Sequence, residues 1–427
     1  MSQQRLTVVL DDDPTGTQMA TDVTVLLDWS AEAIADVLRA ERAVYVQTNS
    51  RAIDESAARA LAADLRAAID QAAQELAEPV LVVLRGDSTL RGHVFAESDA
   101  FLGDAGRILF VPAFPQGGRT TIGGVHRVRI DGVDVPAGET EFAGDPVFGF
   151  HSSNLVEWVA EKGERAAFTV SLAELRDSDR EPGAAVADAL AAAAPGEVVA
   201  PDAETDDDVR LIHAGLELAL GRGVHVVVRS AATLAALCAG RLSDGFLPRP
   251  VVTAAPAALV VCGSHTGAAT EQLDRLVAHL GVTPVEVSTD DALREPEAAG
   301  RAAAAQARRS LETARVVILS TERQRRAADD TLQHGERVMR ALMVAARELA
   351  PGFAVVVSKG GITSAEVART AIGAERAHVR GQIAPGISVW SLDGAAGPTT
   401  QIVVPGNVGG AETLVDALAA VGHGAAG

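Results

Sequence analysis

Leu6-Thr7-Val8-Val9-Leu10 runs without a break into Asp11-Asp12-Asp13-Pro14-Thr15-Gly16-Thr17. A short apolar, partly β-branched run reads as a buried strand, and carboxylates with a glycine turn at its carboxyl end mark the edge where open α/β sheets bind ligands. Outward from it the pattern repeats. Strands are predicted at Val23–Leu27, Ala43–Gln47, Val80–Leu84, Arg107–Val111, Val198–Ala200 and Val224–Val228, with Ala/Leu-rich stretches of helical period such as Asp54–Leu76 between them. In the second half Leu259–Cys262, Val285–Val287, Val316–Ser320, Ala354–Ser358 and Ile402–Val404 continue the style. The fold class is α/β, in two domains, each a largely parallel sheet flanked by helices.

At 427 residues the chain exceeds a typical single core. Periodicity is lost from Ala239 to Pro256, where Gly240, Gly245, Pro248, Pro250 and Pro256 cluster, so the boundary is expected there, giving domains 1–245 and 246–427. Pro112 to Pro146 also lacks periodicity and reads as a long ordered loop over the site, carrying Arg119, His126 and Arg127.

Composition removes several function classes. The formal charge of −20 argues against nucleic acid or an anionic membrane surface as the main partner. Cys238 and Cys262, the only cysteines, cannot frame a disulfide scaffold or a Cys-rich zinc site. No long apolar run or basic leader is visible, so a cytoplasmic location is expected. Of the 37 basic residues only Lys162 and Lys359 are lysine, and neither fits a Walker A loop or a protein-kinase signature. No strand leads into a spaced Gly-x-Gly-x-x-Gly with an acidic partner, which disfavours a nicotinamide oxidoreductase. Metal-ligand spacing is absent; Mg²⁺, if used, would ride on phosphate oxygens.

Three strand ends in the first half carry the chemistry. Crowded Asp11, Asp12 and Asp13 should raise one another's pKa, which suits a general base or a hydroxyl acceptor. Arg85-Gly86-Asp87-Ser88-Thr89-Leu90-Arg91-Gly92 offers a guanidinium fork at Arg91 and an acceptor at Asp87, and Gln47-Thr48-Asn49-Ser50-Arg51 adds polar reach. Acceptors for hydroxyls beside a cation for an acid describe a polyhydroxy-acid pocket. Asp12 is the expected base and Arg91 the expected grip on the carboxylate. In the second half, Cys262-Gly263-Ser264-His265-Thr266, Ser358-Lys359-Gly360-Gly361-Ile362-Thr363-Ser364 and Pro405-Gly406-Asn407-Val408-Gly409-Gly410 are glycine-bearing turns suited to phosphate, with Lys359 able to offset charge. His93 and His265 read as local hydrogen-bond partners, and Asp202, Glu204 and Asp206 to Asp208 as a solvated, helix-capping turn.

Seven strings in order, Asp-Asp-Asp-Pro-Thr-Gly-Thr from Asp11, Thr-Asn-Ser-Arg from Thr48, Asp-Ser-Thr-Leu-Arg-Gly from Asp87, Pro-Ala-Phe-Pro-Gln-Gly-Gly-Arg-Thr from Pro112, Gly-Ser-His-Thr from Gly263, Lys-Gly-Gly-Ile-Thr-Ser from Lys359 and Pro-Gly-Asn-Val-Gly from Pro405, resemble the four-carbon acid sugar kinase family over nearly the entire chain. The resemblance implies an N-terminal domain that binds a sugar acid, a C-terminal domain that binds ATP, and transfer of the terminal phosphate to a tetronate hydroxyl in the cleft between them. It places Asp12, Arg51, Asp87, Ser88 and Arg91 on the substrate side, to which the aspartate trio adds Asp13. It gives Ser264, Gly360, Gly361, Ile362, Thr363, Gly406 and Asn407 to the nucleotide. The strings from Asp87 and Lys359 look more like threonate or erythronate kinases than like the 3-oxo-tetronate branch. A sugar-acid or nucleotide sensor without turnover is the alternative reading, and a homodimer is left open.

Overall fold

The computed structural model describes residues 4–130, 132–253, 256–311, 314–323, 332–406 and 408–423. The chain divides into two compact units, one of Met1–Val23 with Trp29–Leu242, the other of Thr24–Asp28 with Ser243–Gly427. Thr24–Asp28, expected with the first domain, thus groups with the second, where the N–H groups of Leu27 and Asp28 both donate to the Glu375 carbonyl, at 2.9 and 3.1 Å.

In the first unit the strands Ala43–Gln47, Leu6–Asp11, Val80–Arg85, Val226–Ser230, Arg107–Val111, Val198–Val199 and Ala167–Phe168 lie side by side in that order, each pair parallel. Their central residues are apolar and buried on both faces, as a sheet covered by helices requires. The helix Glu55–Leu76 shows how the sequence sets such a cover. Asp54 caps it by accepting from the Ala57 N–H at 2.9 Å, and Ala58, Ala62, Leu65, Ile69 and Ala72, spaced at three to four residues, are its buried stripe. Register decides where the strands end: Asp11 lies level with Gln47 on one side and Arg85 on the other, and Ser230 lies level with Arg85 and Val111. The polar residues expected to gather do leave the sheet along one edge.

The stretch 112–146 is not a structureless loop. Arg119–Ile122, Val125–Ile130 and Val133–Pro136 form a small antiparallel sheet. Its alternation escapes a hydropathy reading because the buried positions include Thr120, Thr121 and His126 beside Val128. Gly123 and Gly124, both at positive φ (61° and 76°), make the tight turn, and Asp202 accepts their two N–H groups at 2.9 and 2.8 Å. Asp202 is therefore a buried structural carboxylate rather than part of a solvated turn, and Asp208 is likewise buried, completing a capping box with Thr205. Beneath this sheet Trp158 stacks on Phe110 at 5.2 Å in a core that includes Leu90, Val128 and Phe142.

In the second unit Val285–Val287, Val316–Thr321, Ala258–Cys262, Val355–Lys359 and Gly397–Val404 are parallel neighbours in that order. Ile387–Gly394 and Arg376–Ala384 then continue antiparallel. Cys262 lies level with Ser320 and Lys359, and Lys359 with Val404, so three glycine-bearing loops start from one sheet edge.

Candidate functional site

The first unit gathers a dense carboxylate and guanidinium cluster. Asp11 is fully buried at its strand end because Gly16 leaves room: a Cβ there would lie 2.0 Å from Asp11 Oδ1. Burial pushes the Asp11 carboxyl up to about 7; the Arg85 cation opposes this, and Asp12 adds to it less than burial does. Crowding is thus the smaller cause of a shift expected from crowding. One guanidinium spans the trio, Arg85 Nη1 lying 3.2 Å from Asp11 Oδ1, 3.3 Å from Asp12 Oδ1 and 3.4 Å from Asp13 Oδ1. Asn49 takes a left-handed turn (φ 51°) that introduces the Ser50–Ala52 turn bearing Arg51. Arg51 approaches Asp12 Oδ2 at 3.2 Å and Asp87 Oδ2 at 3.5 Å and pairs with Asp13.

Arg91 enters this cluster already engaged. Its Nε donates to Asp87 Oδ2 at 2.8 Å, Nη1 is 3.5 Å from Asp145 Oδ2, and its guanidinium lies 5.0 Å above the Phe142 ring. Leu90, just before it, holds φ 69°, a conformation unfavourable for a branched side chain but here compensated by burial in the Trp158 core. Asp87 is buried, which alone would raise its pKa, but Arg91 and Arg51 prevail and hold it far below the carboxylate range. Ser88 is buried and its carbonyl accepts from His126 Nε2 at 2.8 Å. A carbonyl can only accept, so Nε2 bears the proton and Nδ1 accepts from the Thr121 hydroxyl at 3.0 Å; burial pushes His126 down to about 4, keeping that neutral tautomer. The small antiparallel sheet thereby holds the Asp87-Ser88 loop.

Sequence reasoning missed Arg229. It lies in the strand Val226–Ser230, one residue past the predicted end, is 2% exposed, pairs with Glu97, and brings Nη2 to 3.9 Å from Asp12 Oδ2. Gly86 makes space for it, since a Cβ there would stand 2.6 Å from Arg229 Nη2. Asp12 Oδ2 and Arg229 Nη2 are both buried without a hydrogen-bond partner. His93, as expected of a local partner, bonds the Ile53 carbonyl through Nε2 at 2.9 Å.

In the second unit the three loops interlock around Ser264. A Cβ on Gly360 (φ 109°) would lie 3.1 Å from Ser264 Cβ, one on Gly406 3.0 Å from Ser264 Oγ, and one on Gly263 2.4 Å from Thr363 Oγ1. Thr266 ties two loops by donating to the Gly406 carbonyl at 2.8 Å while capping the helix Gly267–Leu280. Lys359, expected at the phosphates, is fully buried and donates from Nζ to the Pro405 carbonyl at 2.6 Å; burial pulls it down to about 8. Its ammonium braces the glycine loop. Arg323, also missed, donates to the Ser264 carbonyl at 2.6 Å and to Thr321 Oγ1 at 2.7 Å. Gly361 is partly exposed, Ile362 is exposed, Thr363 is buried, and Asn407 lies outside the described residues. Among the described residues no group of three or more His, Cys, Asp or Glu could hold a metal ion, and no helix is long and apolar enough to cross a membrane.

Residues 7–238 match the family of sugar-binding N-terminal domains, and residues 259–414 that of nucleotide-binding C-terminal domains. The chain belongs to the four-carbon acid sugar kinase family. Within it, the chain is 29% identical over 444 residues to a D-threonate kinase of Salmonella typhimurium, covering 97% of each chain. It is 30% identical over 236 residues to a D-erythronate kinase of Heliobacterium modesticaldum, a match spanning 54% of this chain and about half (49%) of that protein. Haemophilus influenzae protein HI1011, a solved structure at 17% identity, shares the fold with a TM-score of 0.61, over 97% of this chain and all (100%) of that one. Family membership accounts for the two polar clusters: one lies within the sugar-binding match, the other within the nucleotide-binding match.

Proposed function

We propose that the chain is an ATP-dependent kinase that phosphorylates a terminal hydroxyl of a four-carbon sugar acid of the threonate or erythronate type, working in the cytoplasm. The observation that carries this reading is the buried Asp12 Oδ2, a carboxylate oxygen that accepts no hydrogen bond at a strand end crowded with cations. A buried acceptor left open in that setting suits a substrate hydroxyl. Asp12 orients that hydroxyl and takes its proton at Oδ2. Arg51, paired with both Asp12 and Asp13, holds Asp12 in place beside Asp13, and Asp87, Ser88 and Arg91 line the pocket. Ser264, Gly360, Gly361, Thr363 and Gly406, with Asn407, hold the phosphates, and the exposed Ile362 offers apolar surface to the rest of the nucleotide. Lys359 acts by fixing the Pro405-Gly406 turn. When bound, ATP supplies the phosphoryl group, and Mg²⁺ carried on its phosphates offsets their charge.

The test is ADP release across D- and L-threonate and D- and L-erythronate, with the phosphorylated carbon located by phosphorus-coupled NMR. Asp12→Asn should lower turnover about 10²-fold or more while leaving the unfolding midpoint near that of the unaltered protein. ADP release with none of the four acids, or near-normal turnover in Asp12→Asn, refutes the reading. Binding of acid and nucleotide without ADP would point instead to a sensor.

A further inference from the structure

Five arginines of the first unit gather near Asp87 and the aspartate trio, and four of them are neutralised. Arg85 faces Asp11, Asp12 and Asp13; Arg51 faces Asp12, Asp13 and Asp87; Arg91 faces Asp87 and Asp145; Arg229 pairs with Glu97. Arg119 differs. It is 6% exposed, yet it forms no ion pair with any described residue. The one hydrogen bond of its side chain to a described residue runs from Nη1 to the Gly117 carbonyl, and its Nε is buried without a partner. Burial leaves the guanidinium less comfortably charged than in water; Asp87, which Arg51 and Arg91 already neutralise, opposes this, and the like charge of Arg91 adds to it.

A buried cation without an anion is costly and is retained where something compensates it. The small antiparallel sheet presents this one beside the loop holding Asp87 and Ser88, and His126, facing Thr121 in the same hairpin, binds the Ser88 carbonyl. With Nη1 engaged, the Nε–Nη2 edge remains, and that edge is the side-on fork that fits the two oxygens of a carboxylate. Arg91 fits the anchoring task less well, because two carboxylates already occupy it.

We propose that Arg119 is the anion-binding residue of the first unit and takes the carboxylate of the acceptor acid through its Nε–Nη2 edge. That the anion is a sugar acid rests on the kinase reading; that Arg119 holds a small carboxylate does not. Such a residue costs the ligand-free protein stability in exchange for binding.

The experiment uses the full chain, Arg119→Gln and Arg119→Lys, with calorimetric titration of the four threonate and erythronate stereoisomers and of ADP, thermal unfolding without ligand, and ADP release. Arg119→Gln should melt at least about 2 °C higher than the unaltered protein when ligand-free, because an uncompensated charge is gone. Its affinity for the acid should fall roughly 10- to 100-fold, the value of a charged hydrogen bond, with ADP binding unchanged. Arg119→Lys, which keeps the charge without the fork, should fall between the two. A lower melting temperature for Arg119→Gln makes the guanidinium structural and overturns the proposal. So does acid affinity within about threefold of the unaltered protein, or failure of the unaltered protein to bind any of the four acids. Arg119-dependent binding without ADP release from the unaltered protein removes the kinase reading and leaves Arg119 standing. ADP release by Arg119→Gln at unchanged KM does the reverse.

Discussion

Gly86→Ala tests how the buried cations hold the aspartate loop. The new Cβ would stand 2.6 Å from Arg229 Nη2 and 2.9 Å from both its Cζ and Nε, so the guanidinium must move. The end of an arginine usually yields cheaply, but this one is 2% exposed and tied to Glu97. If it shifts within its packing the cost is about 1–3 kcal/mol, as for an overfilled core. If it leaves Glu97, a buried carboxylate loses its partner, at about 3–5 kcal/mol. Gly86 is not among the positive-φ glycines, so alanine suits the backbone and returns about 0.4–1 kcal/mol through the unfolded chain. The expected net loss is about 0–3 kcal/mol if the guanidinium shifts within its packing and about 2–5 kcal/mol if it leaves Glu97, read as a lower urea midpoint. The decisive control repeats the substitution in Arg229→Ala/Glu97→Gln, where no guanidinium obstructs the Cβ and no bare carboxylate remains; there Gly86→Ala should be neutral or stabilising. An equal loss in both backgrounds would refute the reasoning, since the collision could not then be its source. Because Arg229 Nη2 also lies 3.9 Å from Asp12 Oδ2, Gly86→Ala should weaken acid binding only when Arg229 is present.

Two further predictions concern the second unit. Lys359 has a folded pKa of about 8 against 10.5 unfolded, so folding opposes its proton: its contribution is unfavourable below pH 8 and is relieved between pH 8 and 10.5, by roughly 3 kcal/mol in total. Tyr45 and Cys238, both shifted upward by burial, change stability in the opposite sense as pH rises, so the relief is read as the difference between the unaltered protein and Lys359→Met in urea midpoints from pH 7.5 to 10.5; parallel curves would exclude it. Gly360→Ala forces a side chain into φ 109° and places its Cβ 3.1 Å from Ser264 Cβ. It should cost about 1–3 kcal/mol and weaken ADP binding, measured by titration; unchanged ADP affinity would take Gly360 out of the nucleotide loop.

The parts legible in the sequence were those governed by period and position. Apolar runs at strand spacing identified the parallel strands, and the rule that ligands bind at their carboxyl ends then selected Asp11 to Asp13, Arg51, Asp87 and Arg91, which the fold does gather in one unit. The antiparallel sheet within 112–146 stayed hidden because its buried face is polar: Thr121 and His126 are satisfied by each other and by the Ser88 carbonyl, a pairing hydropathy cannot register. Arginine roles stayed hidden for a deeper reason. In a chain where 35 of 37 basic residues are arginine, residue type no longer separates a brace from a ligand contact. What separates them is whether a carboxylate already faces each guanidinium, a property of three-dimensional pairing. By that criterion Arg85 and Arg229 are braces; Arg51 and Arg91, though placed to line the pocket, reach it already bound to aspartates. Arg119, which spacing alone left in a loop, has its Nε–Nη2 edge open. Lys359 is separated by a different observation: the sequence suggested a phosphate contact because lysine is rare here, but its ammonium is fully buried and donates to the Pro405 carbonyl, which places it against the glycine loop rather than facing a carboxylate.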